Sequence, residues 1–166
     1  MLARGGAIGS VGYAGDGTDE TYHVVNNTSH GEYFTYTDKQ GGSTTIYLAS
    51  GQSGTIYASS SATGDRITPD GTSPSTSMNG IELFENGYGT GGLEYPDVSA
   101  VDGLSIFSTG NIDGSGNPIR ILATLPDGST IGDGGTYKHA YQYSTDDAAS
   151  QATAPVGAIT VTFSDG

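Results

Sequence analysis

Apolar and polar positions alternate over short stretches of this chain, and each stretch is closed by Gly, Asn, Asp, Ser or Pro. Residues 22–27 (YHVVNN), 32–37 (EYFTYT), 44–48 (TTIYL) and 54–58 (GTIYA) are rich in aromatic and β-branched side chains and predict strands. Residues 80–85 (GIELFE), 119–123 (IRILA) and 158–163 (AITVTF) read the same way. No window carries an apolar period of 3.6 residues over three turns; the best helix candidate is a single turn at 146–151. Asp-Gly recurs along the chain, at Asp70-Gly71, Asp113-Gly114 and Asp127-Gly128 among others, and marks turns between strands. Residues 112–117 fit a loop entering the 119–123 strand, and 125–129 fit a tight turn leaving it. Residues 68–79 (TPDGTSPSTSMN) read as a surface loop. Many short strands with turn signals between them predict an all-β sandwich or barrel with little or no helix. Residues 1–20 are Gly-rich and read as a flexible leader, or as a segment that orders only by adding to a sheet edge. Residues 21–166 are then a single domain, a normal size for one.

Composition narrows the partners. Five Lys and Arg against eighteen Asp and Glu give a formal charge of −13. A field of that sign repels phosphate, so nucleic acid is not an expected partner and an anionic membrane surface is disfavoured. No apolar run is long enough for a membrane-spanning helix. Only 14% of residues are charged, so hydroxyl, amide and glycine positions carry the solubility. Cysteine is absent, which removes disulfides and thiolate chemistry.

Candidate chemistry concentrates in residues 81–108. Glu82, Glu85, Glu94, Asp97 and Asp102 lie there with no Lys or Arg among them. Strand alternation could spread these acids into solvent; gathered in one cleft, they could hold carboxyl groups with split proton affinities, the minimum for acid–base cleavage of a glycosidic bond. His23, His30 and His139 are scattered without metal-ligand spacing, and no calcium-loop motif is present, so no metal is expected. There is no G-x-S-x-G, phosphate loop or dinucleotide fingerprint, and no cofactor is expected. Asn26-Asn27-Thr28-Ser29 holds two overlapping glycosylation acceptors, at Asn26 and Asn27, relevant if the chain passes through a eukaryotic secretory pathway.

Several of these segments together resemble a family. Glu82-Leu83-Phe84-Glu85-Asn86-Gly87 followed by Tyr95-Pro96-Asp97-Val98-Ser99-Ala100-Val101-Asp102-Gly103 is similar to the central pattern of the thaumatin-like proteins. Ala140-Tyr141-Gln142-Tyr143-Ser144-Thr145-Asp146-Asp147 and Pro155-Val156-Gly157-Ala158-Ile159-Thr160-Val161-Thr162-Phe163 resemble the closing segments of that family. Val24-Val25-Asn26-Asn27 resembles its opening strand, and Gly64-Asp65-Arg66-Ile67 a further short motif. The matches keep family order over about residues 22–166, and the lack of cysteine suits the small fungal and bacterial members.

The resemblance implies a thaumatin-like β-sandwich, secreted or held at the cell surface, whose acidic cleft binds a β-1,3-glucan type of polysaccharide and in some members cleaves it weakly. Glu82, Asp97 and Asp102 match acids of that cleft; Glu82 would be the general acid and Asp97 or Asp102 the base or nucleophile. His139 stands where the family has a further Asp, and Arg66 is the nearest substitute for its Arg. Tyr88 and Tyr95 could present flat faces to a sugar ring. A structural alternative is a subunit of an extracellular fibre or coat, self-assembling through residues 1–20 by strand addition.

Overall fold

The computed structural model describes residues 9–15, 20–58, 64–75, 81–88, 91–99, 112–132 and 153–166. They form thirteen strands and, among the described residues, no helix. In chain order these are β1 (Val11–Tyr13), β2 (Thr21–Asn27), β3 (Glu32–Thr37), β4 (Ser43–Leu48), β5 (Ser53–Tyr57), β6 (Asp65–Gly71) and β7 (Leu83–Asn86). Then come β8 (Leu93–Glu94), β9 (Asp97–Ser99), β10 (Ile119–Thr124), β11 (Thr130–Gly132), β12 (Ala154–Pro155) and β13 (Ile159–Asp165). All seven strands predicted from alternation are present within a few residues of their predicted bounds. The single helical turn predicted at 146–151 lies outside the described residues.

The strands assemble into a β-sandwich. One sheet runs β1-β5-β2-β13-β10-β11, the other β4-β3-β6-β7-β9, and β8 pairs with β12 as a small ribbon. Alternation sets which face each strand buries. Tyr22, Val24 and Asn26 of β2 point inward, as do Ile159, Val161 and Phe163 of β13 and Ile119, Ile121 and Ala123 of β10. The facing sheet answers with Phe34, Tyr36, Ile67, Phe84 and Val98. Ring contacts between Phe34 and Phe163 (centroids 4.6 Å apart) and between Tyr22 and Phe84 (5.5 Å) tie the layers together. Burying these apolar faces is the main favourable term in folding.

Two expectations change. The 68–79 stretch read as a loop, but its first four residues belong to β6, in the middle of the five-stranded sheet. A Pro normally excludes a central strand because it lacks an N–H. Here the register against β3 shifts: Pro69 faces Phe34 while Gly71 faces Tyr33, leaving Asp70 as the extra residue of a bulge. Gly71 takes φ of +82°, which its lack of a Cβ permits.

Second, part of the leader is built into the sandwich. β1 pairs in parallel with β5. The Thr55 N–H donates to the Ser10 carbonyl (2.8 Å) and the Tyr47 N–H to the Gly9 carbonyl (3.3 Å). Residues 9–13 thus sit between β4 and β5, along one side of the sandwich. The expected strand addition was onto something other than this chain; residues 11–13 instead pair with β5 of their own chain.

Candidate functional site

β7 and β9 lie antiparallel at the edge of the five-stranded sheet, with Glu85 opposite Asp97 and Arg66 of β6 opposite Glu85. Side chains opposite each other in a ladder share a face, so Arg66, Glu85 and Asp97 form a row on the outer face. Arg66 Nε donates to Glu85 Oε1 at 2.9 Å. Beyond β7 the chain turns back: the Tyr95 N–H donates to the Gly87 carbonyl (2.8 Å), and Tyr88 bridges to Glu94. That hairpin brings Tyr88 and Tyr95 over the row. With Lys39 of the β3–β4 turn and Asn86, they line a groove of about 490 Å³ that includes Glu85 and Asp97.

The groove rests on a buried network of acids and phenols. Asp65 is fully buried and accepts hydrogen bonds from Tyr22 (2.5 Å), Tyr36 (2.9 Å) and Tyr88 (3.5 Å). Asn86 donates from its side-chain amide to the Tyr22 hydroxyl (3.0 Å) and to Glu94 Oε2 (3.1 Å). Burial pushes Asp65 up to about 6, against the pull of its tyrosine donors. Burial, then the Asp65 charge, raises the Tyr22, Tyr36 and Tyr88 hydroxyls, so all three stay protonated donors. Burial also raises both Glu20 and Glu94; Glu20, further raised by its neighbour, holds a proton between the two carboxyls. Tyr88 belongs to both layers: its ring lines the groove and its hydroxyl touches the network.

The residues singled out in the sequence divide. Tyr88, Tyr95 and Asp97 meet in the groove, and Arg66 stands beside it on Glu85. Glu82 does not line it. It shares the inward parity of Phe84 and Asn86, is fully buried, and its N–H donates to the Ile112 carbonyl (3.1 Å). Among the described residues, then, Asp97 of β9 lines the groove while Glu82, just before β7, lies buried and outside that lining. Asp102 and His139 lie outside the described residues. Asn26 is also buried, and its amide donates to the carbonyls of His30 and Leu48 (both 2.9 Å), which leaves no room for a glycan; Asn27 is exposed. Lys39 and Glu85 join the groove although sequence reasoning did not select them. Glu85 lay in the acidic stretch, and its parity with Asp97 was the available signal.

A second polar cluster sits at the other end of β3. Glu32 and Asp113 are buried beside the half-buried His30, and ligand-type atoms of all three lie within 4.8 Å of one another. Burial, then the neighbouring Asp113, pushes Glu32 up to about 9, with the Gly71 amide pulling weakly the other way. Neither oxygen of Glu32 accepts a hydrogen bond of ordinary length and angle. Asp113 is lowered: hydrogen bonds from Asn117 and Ser115 outweigh its own burial.

No family model matches this chain, and no curated protein matches it in sequence. Solved structures do match in fold. The protein elicitor MoHrip2 from Magnaporthe oryzae superposes with a TM-score of 0.55 at 16% identity, over 88% of this chain and 98% of that one. At that identity the likeness establishes the all-β sandwich and nothing of the chemistry.

Proposed function

We propose that this chain is an extracellular, thaumatin-like module that binds a neutral polysaccharide of the β-1,3-glucan type in the groove of Tyr88, Tyr95 and Asp97. One observation carries the reading: two tyrosine rings, two carboxylates and an ammonium converge on one open groove. The C–H faces of a pyranose pack on aromatic rings, while carboxylates accept from sugar hydroxyls and the Lys39 ammonium donates to them. A neutral chain escapes the repulsion that an acidic surface imposes on anions. The volume falls in the range of about 300–1,000 Å³ typical of ligand pockets, enough for a few sugar units. Of the segments behind the family resemblance, those on β6, β7 and β9 supply or flank the groove, with Arg66, Glu85 and Asp97.

Retention on insoluble β-1,3-glucan tests the proposal. Wild type is expected in the pellet, and Tyr95→Ala with Asp97→Ala in the supernatant. Equal retention of wild type and the double variant, or none of wild type, sinks it. Cleavage is the less supported role, because Glu82, the intended acid, is sealed in the interior. Release of reducing sugar from laminarin that disappears in Glu82→Gln would restore it.

Self-assembly is a second reading, and one observation favours it. β1 carries two exposed large apolar side chains, Val11 (47%) and Tyr13 (69%), with Tyr13 stacked on Tyr57. A copy could exchange β1 with its neighbour or pack on this patch. Sizing the chain with and without residues 1–20 decides: a monomer in both cases removes the idea.

A further inference from the structure

We propose that His30, Glu32 and Asp113 form a binding site for a divalent transition-metal cation of the zinc type. The site lies at the Glu32 end of β3, about five strand residues, or on the order of 17 Å, from the groove end. It is independent of the carbohydrate reading.

Both spacings from the imidazole match what a metal demands. His30 Nε2 lies 3.3 Å from Asp113 Oδ2 and 3.5 Å from Glu32 Oε2. Two ligand atoms each about 2.1 Å from a tetrahedral zinc ion are about 3.4 Å apart. An imidazole with two carboxylates supplies one nitrogen and two oxygens, a donor set suited to a borderline cation, and two negative charges to balance its two positive ones.

An acidic cluster alone would not point to a cation; Glu32 does. Its side chain is fully buried, with Oε2 3.5 Å from His30 Nε2, and neither oxygen accepts a hydrogen bond of ordinary length and angle. A buried carboxyl with no hydrogen bond of ordinary geometry is costly to ionise unless something positive completes it.

The other ligands are held in place before any ion arrives. Asp113 Oδ1 accepts from the backbone N–H groups of Ser115 (2.8 Å) and Asn117 (2.9 Å), which turns Oδ2 toward His30. The Asn117 side-chain amide steadies that oxygen from outside, at 3.1 Å. The Asp113 loop is docked on β6 by the Gly114 N–H donating to the Pro69 carbonyl (2.8 Å). The His30 carbonyl accepts from Asn26 and Thr28, fixing the backbone there. The imidazole is 30% exposed, which leaves a path from solvent.

Equilibrium dialysis of the chelator-stripped full chain against zinc chloride, with metal analysis, tests the site. Wild type should bind one equivalent, and its thermal midpoint should rise until that equivalent is filled. Glu32→Gln, near-isosteric and neutral, should fold and weaken zinc binding by at least about 10- to 100-fold, the cost of losing even an outer partner of a metal ligand. The ring ¹⁵N signal of His30 Nε2 should move on zinc addition, a change that a purely structural His30–carboxylate contact would not produce. His23→Ala, at an exposed histidine, should bind as wild type. Zinc binding equal in wild type and Glu32→Gln, no binding at all, or a response to calcium with none to zinc overturns the proposal.

Discussion

Replacing Asp65 with Asn isolates the acid at the centre of the network beneath the groove. The carboxyl is fully buried and its pKa stands at about 6 against an ordinary 3.8. A group that binds its proton more tightly when folded stabilises the fold fully below the unfolded value. That stability is lost as pH rises through the folded value. The window here runs from about pH 4 to pH 6, and at about 1.36 kcal/mol per pKa unit the change is on the order of 3 kcal/mol. Asn cannot ionise, so the variant lacks this slope. It also loses one of the two acceptor oxygens that Tyr22 and Tyr36 use, a cost of about 1 kcal/mol at low pH. Urea unfolding of both proteins at half-unit steps from pH 4 to pH 7.5 separates the effects. Wild type should weaken as pH rises, the reverse of ordinary acid denaturation, and Asp65→Asn should weaken by about 3 kcal/mol less over the same span. Parallel pH profiles for the two proteins would refute the assignment of that proton to Asp65.

Glu20→Gln replaces a carboxyl that burial keeps protonated by a neutral near-isostere; chemical denaturation should show unchanged stability at pH 4 and a gain at pH 8. Gly114→Ala would place a Cβ 2.3 Å from the Asp70 carbonyl oxygen, so the Asp113 loop must shift. Its thermal unfolding should report a loss of about 1–3 kcal/mol. Phe163→Ala opens the contact between the two sheets at Phe34 and should cost about 3–5 kcal/mol in urea titrations.

Much of the sandwich was legible because alternation and burial are one signal: Tyr22 and Val24 of β2, Ile119, Ile121 and Ala123 of β10, and Ile159, Val161 and Phe163 of β13 are apolar, alternate and point inward. β6 was not, because Thr68-Pro69-Asp70-Gly71 has the chemistry of a turn and only a bulge against β3 lets it be a strand. β1 was hidden for a different reason: its three residues gain their order from β5, a partner 44 residues away that local patterning does not name. Of the groove residues, Asp97 was singled out through the family resemblance, and Tyr88 and Tyr95 for their flat aromatic faces. Glu82 was singled out through the same resemblance, and its burial, which no local pattern announces, keeps it out of the groove lining. The His30, Glu32 and Asp113 cluster left no local trace. Its members are joined by a loop that closes over β6, 83 residues from His30 to Asp113, and a motif read along the chain does not register such an arrangement.

The central claim is that the face carrying Tyr88, Tyr95 and Asp97 holds a sugar chain. Backbone amide chemical shifts recorded while a β-1,3-linked glucose oligosaccharide is titrated into the ¹⁵N-labelled chain measure it directly. The account predicts saturable changes at Glu85, Tyr88, Tyr95 and Asp97, with Glu32 and Asp113 at the far end of β3 unmoved. Changes centred on another face, or a spectrum that ignores the oligosaccharide, would contradict it.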